Sequence, residues 1–456
     1  MTLPTLRVAI VGSGPAGIYA ADALTKSDTA ITSGVAVDIF ERLPAPFGLI
    51  RYGVAPDHPR IKEIVTALEK VLDKPLVTFF GNVDIGSDLT LDDLHASYHA
   101  VILATGAMRD RRLDLPGVDL VGSYGAADFV SWYDGHPDVA TQWPLFAERV
   151  AVLGVGNVAL DVARILAKTA DELLVTEIPA NVEAGLRANQ ARAIHVFGRR
   201  GPAHAKFSPL ELRELDHSPT IEVIVDPRDI QYDEEAVALR RSSKQVDLVC
   251  RTLEGWASRE PGDRPHRLHL HFFEEPVEIL GNGGAVAGLR TFRRAPEEEP
   301  QQSTWEMDAV YRAVGYRSEA LNSVPFDEVS ATIPNKAGRV QSPASEAIPG
   351  TYVTGWIKRG PVGLIGHTKG DANETVACLV EDFAAGRLTD PIGVPNRIER
   401  LLQDRGVQHT TWEGWYRLDA HERALGRPSG RARIKVIDRA AMVAISNDTA
   451  QEGTAS

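Results

Sequence analysis

Short apolar, β-branched runs alternate along the chain with longer stretches whose apolar residues recur at helical spacing. That alternation predicts an α/β protein with parallel sheets. Strands are expected at Arg7–Val11, Val35–Phe40, Ala100–Ala104, Val150–Leu153, Ala193–Phe197 and Tyr352–Thr354. Helices are expected at Pro15–Thr25, Ile61–Leu72, Ala159–Thr169 and Asp371–Ala384. The polar, Pro- and Glu-containing stretch Arg293 to Ser303 reads as a surface loop, and the small polar residues from Ser446 to Ser456 read as a disordered tail. No apolar run is long enough to span a bilayer. No basic segment followed by an apolar one opens the chain, so the expected location is the cytoplasm.

One pattern occurs twice. After the first strand comes Gly12-Ser13-Gly14-Pro15-Ala16-Gly17, leading into a helix. Gly12 suits a tight turn, Gly14 lets the backbone approach a pyrophosphate, and Gly17 allows the helix to pack closely on the strand. The next strand ends in Glu41, placed to accept hydrogen bonds from ribose hydroxyls. The echo is Gly154-Val155-Gly156-Asn157-Val158-Ala159, after the strand Val150–Leu153. Here the following strand runs into Gly198-Arg199-Arg200-Gly201. Paired guanidiniums suit a 2′-phosphate, which an acid would repel, so this second turn favours NADP(H). Two such turns need two dinucleotides, and FAD at the first with NADPH at the second satisfies both. Ala104-Thr105-Gly106 and Val353-Thr354-Gly355 each follow a strand and could bring backbone near a cofactor.

Composition narrows the chemistry. The chain has 456 residues, 49 Lys and Arg against 62 Asp and Glu, and a net charge of −13. That acidic excess argues against nucleic acid as the main partner. Only two cysteines occur, Cys250 and Cys378, which excludes a Cys-bound iron–sulfur cluster, a zinc ribbon and a CxxC redox pair within the chain.

The residues resemble the adrenodoxin-reductase-like ferredoxin–NADP reductases, most closely the mycobacterial type. The resemblance rests on Gly12–Gly17, on Pro46-Phe47-Gly48-Leu49 leading into Gly53-Val54-Ala55-Pro56-Asp57-His58-Pro59, on Gly81-Asn82-Val83, on Gly154–Arg164 and Gly198–Pro202, on Glu211–Leu215, and on Gly355-Trp356-Ile357-Lys358-Arg359-Gly360-Pro361 continuing to Gly363. It implies two Rossmann-like domains, with an NADP domain (108–316) inserted into an FAD domain (1–107 and 317–456). It further implies FAD contacts from Ala16, Glu41, Leu49, Val83, Trp356, Gly363, Leu364 and Ile365. For NADP it implies Val155, Gly156, Asn157 and Val158, then Arg199, Arg200, Glu211 and Gly363. His58 and Glu214 match a histidine–glutamate couple near the nicotinamide in relatives.

The implied activity passes a hydride from NADPH to FAD and then single electrons to a separate iron–sulfur ferredoxin, with no metal required and the enzyme working as a monomer. A FAD- and NADPH-dependent monooxygenase and a non-catalytic dinucleotide-binding protein remain as alternatives. His58 alternatively serves the turn between Pro56 and Pro59, and Trp356 alternatively belongs to the core. Because ferredoxins are usually acidic, docking asks for a local basic face. Arg240, Arg241 and Lys244 form one candidate, Lys358 and Arg359 another.

Overall fold

The strand Leu6–Val11 is apolar at almost every position because both of its faces are covered. In the computed structural model, which describes residues 5–296, 298–363, 365–392 and 396–448, its side chains alternate between two cores. Leu6, Val8 and Ile10 pack with Ala372, Val376, Leu379 and Phe383 of the helix Ile365–Ala384, while Ala9 and Val11 join Phe40, Val101, Leu103 and Val353. The chain separates into two compact units, Met1–Arg109 with Asp134–Asp138 and Tyr316–Ser456, and Asp110–Tyr133 with Val139–Gly315.

The first unit carries a seven-stranded sheet ordered 335–336, 339–341, 347–353, 100–103, 6–11, 35–41, 77–81. Its five consecutive strands from 347–353 to 77–81 are parallel, and the two short strands at the other edge are antiparallel. The helix Pro15–Thr25 starts with Pro at its first turn, where no backbone donor is lost, behind an N-cap at Gly14.

Three C-terminal or remote segments hold the loop 47–62 of this unit. Arg51 is bonded in bidentate fashion to Glu422, at 2.5 and 3.0 Å, with both side chains buried. Its guanidinium also lies 5.3 Å from the Tyr52 ring and 5.2 Å from that of Trp415. Burial alone would lower the Arg51 pKa, but the Glu422 carboxylate overrides it and holds the group firmly charged. Lys435 donates to the carbonyl oxygens of Arg51 (2.7 Å) and Asp134 (3.1 Å), and the Asp134 carboxylate lies 3.4 Å from Lys62.

The second unit has a six-stranded parallel sheet in the order 123–125, 309–312, 149–153, 193–197, 266–271, 221–225. A three-stranded antiparallel sheet, 274–282, 285–293 and 301–306, follows it in the same unit.

Three expectations are corrected. The helix expected over Ile61–Leu72 is two, Pro59–Lys62 and Val65–Leu72, because Ile64, Thr66 and Ala67 donate to the residue three back and tighten the turn between them. Arg293 is no surface loop residue. It ends a strand, buried, with Nη1 2.6 Å from Asp229 and 3.1 Å from the Phe272 carbonyl, and Gln301–Glu306 pairs back on that strand. Ser446 is not tail either, since it lies fully buried in the helix Arg439–Asn447 and its carbonyl accepts from Arg417.

Replacing Glu422 with Ala leaves Arg51 charged and buried without its carboxylate, and should destabilise the protein by about 3–5 kcal/mol. The urea midpoint reads this loss directly, and Glu422→Leu combined with Arg51→Met should recover most of it.

Candidate functional site

Both glycine turns are built alike. Gly12 has φ +109°, and a Cβ there would sit 2.5 Å from the Ala104 carbonyl oxygen. Gly154 has φ +131°, and a Cβ would sit 2.3 Å from the Ala313 carbonyl oxygen. Each first glycine is therefore forced by its backbone angle and by the neighbouring strand end. The middle glycines differ: a Cβ on Gly14 or Gly156 would meet nothing within 4 Å. Each is the N-cap of an eleven-residue helix and supplies no capping side chain. The open space and the free helix N-terminus together make a cradle for a phosphate. Gly17 cannot be larger, because its Cβ would fall 2.0 Å from the Gly12 carbonyl oxygen. Dinucleotide pyrophosphates fit both turns.

Other segments close on the first turn. Phe47 donates its N–H to the Ser13 carbonyl and holds φ +82°, a conformation costly for an aromatic residue. Its ring is fixed edge-on against Trp412 and Trp415. Gly48 follows at φ +50°, where a Cβ would stand 3.1 Å from Gly14 Cα. Gly355, at φ +77°, leaves room for Ala16, whose Cβ would lie 2.6 Å from one on Gly355. Asp371 accepts from the Gly355 N–H and the Thr354 hydroxyl, at 2.5 and 3.2 Å, and so fixes this approach.

Glu41 ends its strand, buried, as the sequence pattern requires. Its carboxylate already accepts from the Ser13 N–H (3.0 Å), the Ser13 hydroxyl (2.8 Å) and the Leu43 N–H (3.0 Å). Three of roughly four acceptor positions are thus used in shaping the turn, and about one remains for a ribose. Val83 is buried and donates its N–H to the Glu41 carbonyl. Leu49 opens a short helix, and Trp356, half-buried, stands 6.2 Å from the Tyr316 ring. Gly363 is exposed at φ +89°, whereas Leu364 and the side chain of Ile365 lie outside the described residues. His58 is buried at the N-cap of Pro59–Lys62, and its carbonyl accepts from Ile61 and Lys62.

In the second unit the loop 206–208 is zipped to the turn. Lys206 donates to the Val155 carbonyl, and the Asn157 side chain accepts from the Ser208 N–H at 2.8 Å. Ser208 in turn caps the helix Pro209–His217. That helix carries Glu211, buried 3.7 Å from Arg164, and the half-buried Glu214. Val155 packs against Gly198, and Val158 lies in the first turn of the helix Asn157–Ala167. Arg199 and Arg200 are both exposed at the strand end, and neither has an ion-pair partner among the described residues. Two exposed guanidiniums at a strand end have the chemistry to receive a phosphate.

The basic clusters expected to dock an acidic partner are smaller than the sequence implies. Lys358 is buried and bonded to Asp371 and Glu374, at 2.8 and 2.6 Å. Arg240 is taken up by Asp247 (3.0 Å) and Glu254 (2.5 Å) and lies over the Tyr232 ring. Arg241 and Lys244 of that cluster remain exposed, with no ion-pair partner among the described residues. Sequence reasoning also passed over Ser13, Asp371 and Glu422, whose importance lies in partners remote along the chain.

Two Rossmann-like units, each with a glycine turn fitted to a dinucleotide, define a two-dinucleotide oxidoreductase. Residues 6–195 match the pyridine nucleotide-disulphide oxidoreductase family. The chain is 39% identical to NADPH-ferredoxin reductase FprA of Mycobacterium leprae, over 97% of this chain and 98% of that protein. It is 37% identical to the mitochondrial NADPH:adrenodoxin oxidoreductase of Arabidopsis thaliana, over 95% and 93%. A solved structure of Mycobacterium tuberculosis FprA in complex with NADPH superposes with a TM-score of 0.89 at 38% identity, covering 97% of this chain and 99% of that one. The chain belongs to the adrenodoxin-reductase-like NADPH–ferredoxin reductases.

The two glycines of the first turn should separate in their effects. Gly12→Ala meets the Ala104 carbonyl and should lower the melting temperature of the flavin-free protein. Gly14→Ala has room for its Cβ in the fold, so it should leave that temperature unchanged yet weaken flavin retention, read as loss of yellow colour on gel filtration.

Proposed function

We propose that this protein is a FAD-containing NADPH:ferredoxin oxidoreductase, acting as a cytoplasmic monomer. The observation that carries the proposal is the contrast between the two strand ends, a buried Glu41 beside the first turn and the exposed pair Arg199 and Arg200 beside the second. FAD held at the first turn would supply the chemistry, hydride acceptance from NADPH and one-electron donation to a ferredoxin's iron–sulfur centre.

The chain's own residues do the holding and orienting. The N–H groups behind Gly14 and Gly156 receive the two pyrophosphates, and Arg199 and Arg200 grip the 2′-phosphate of NADPH. That grip lies far from the nicotinamide, so its binding energy orients the reacting end. His58 and Glu214 tune the charge met by the nicotinamide rather than serve as an obligatory acid or base. Cys250 is buried and Cys378 half-buried, far apart in sequence, so no CxxC dithiol relays electrons.

Anaerobic NADPH titration should bleach the yellow protein, and the reduced form should then reduce an added ferredoxin. Stoichiometric oxygen uptake with an organic substrate would instead favour the monooxygenase, and a yellow protein that fails to bleach would favour a non-catalytic binder. Removing the two guanidiniums in Arg199→Ala/Arg200→Ala should raise the KM for NADPH by about tenfold to a hundredfold per lost charge-assisted contact, with kcat little changed. His58→Gln should keep its FAD and alter the rate of anaerobic flavin reduction. Identical stopped-flow traces for wild type and variant would remove His58 from the nicotinamide site.

A further inference from the structure

Three histidines lie on one face of the parallel sheet in the second unit, and the dinucleotide chemistry uses none of them. His269 and His271 are two apart on the strand His266–His271 and so share a face. The register places His269 directly beside His195 of the neighbouring strand Ala193–Phe197, which brings the third ring alongside. The rings are parallel to within 3°, with centroids 4.4 Å apart for His195 and His269, 5.2 Å for His195 and His271, and 5.9 Å for His269 and His271. His195 Nδ1 is 2.9 Å from His271 Nε2, and one nitrogen from each ring lies within 4.8 Å of the other two.

All three rings are half-buried, on the face opposite the fully buried Leu268 and Leu270 of the same strand. Burial, assisted by the neighbouring rings and by Arg267, holds His195 at a pKa of about 3 and His269 at about 4, and drives His271 well below the ordinary range. All three are thus neutral at physiological pH, and each keeps a lone pair. Neutral imidazole nitrogen is the form that binds metal.

The spacing agrees with a metal as well. Zinc–nitrogen bonds of about 2.0–2.1 Å in a tetrahedral site place two ligand nitrogens about 3.3 Å apart. The His195–His271 separation needs to open by only a few tenths of an ångström, and the ring that donates in this contact moves its proton to its other nitrogen, so that both facing nitrogens offer lone pairs to the ion. The His269 ring then turns about its terminal side-chain torsion, which is soft. Trp305 flanks the group, its ring centroid 4.7 Å from that of His271. A cavity of about 530 Å³ opens beside His269 and His271, with Asp226 and Glu274 also in its wall.

We propose that His195, His269 and His271 form a three-imidazole site for a divalent zinc ion, its fourth position open to this cavity. Binding would join two neighbouring strands of the sheet through side chains.

The FAD-loaded protein, first treated with a chelator and desalted, is titrated with zinc chloride by calorimetry. One saturable zinc per chain is expected, with the flavin spectrum unchanged and the melting temperature rising with the logarithm of free zinc above its Kd. His271→Gln and His269→Gln should each weaken binding at least about tenfold, since loss of even an outer-shell partner costs about that much. A variant that retains FAD and is still reduced by NADPH is folded, which separates loss of the site from loss of the protein. His269→Gln, which leaves the His195–His271 contact intact, provides that reading if His271→Gln does not fold. Absence of saturable zinc binding overturns the proposal. So does zinc binding that survives the triple change to Gln, or saturable binding of copper with none of zinc.

Discussion

The bidentate pair of Arg51 and Glu422 is the constraint on which the first unit's site depends. Two charges taken out of water are tolerated because each faces the other, with Tyr52 and Trp415 covering the guanidinium and the Val436 N–H and Arg433 also donating to the carboxylate. The pair fixes a loop whose backbone is costly at Phe47, which lies at positive φ. That strained loop sets its Gly48 against Gly14 and so shapes the cradle from the side opposite the helix. A charge pair 371 residues apart in sequence thereby supports a phosphate site that neither residue touches.

The two turns show how one backbone device serves two ligands. Positive φ at the first glycine and open space at the second are common to both. What differs is the end of the next strand. Glu41 is buried and spends most of its acceptor capacity on Ser13 and Leu43, whereas Arg199 and Arg200 are exposed, with no ion-pair partner among the described residues. In the proposed function, specificity between the dinucleotides rests on a few side chains at strand ends, while the shared glycines serve what the two ligands have in common.

Local patterns in the sequence were legible where the physics is local. The helix Pro15–Thr25 was read to its ends because a proline opens it and glycines force the turn before it. Both turns and the central strands were legible for the same reason. The break between Lys62 and Val65 was not, because apolar spacing there continues across the tightened turn. Arg293 looked like a loop residue because its partners, Asp229 and the Phe272 carbonyl, come from elsewhere in the unit. Lys358 looked like part of a basic patch until Asp371 and Glu374, a helix away, were seen to enclose it. Charge in a string of letters says nothing about whether its counter-charge lies in front of it or behind.

The short segment Asp134–Asp138 has a consequence for how such a protein could be recombined. It lies in sequence between two stretches of the second unit, yet belongs with the first. There Asp134 meets Lys62 and, through its carbonyl, Lys435. The units are therefore not interchangeable cassettes. A second unit excised as one continuous piece and grafted between other flanks would carry Asp134 away with it, removing one acceptor from each of Lys62 and Lys435. A viable exchange would have to move the unit as two pieces, cut on either side of five residues that are not its own.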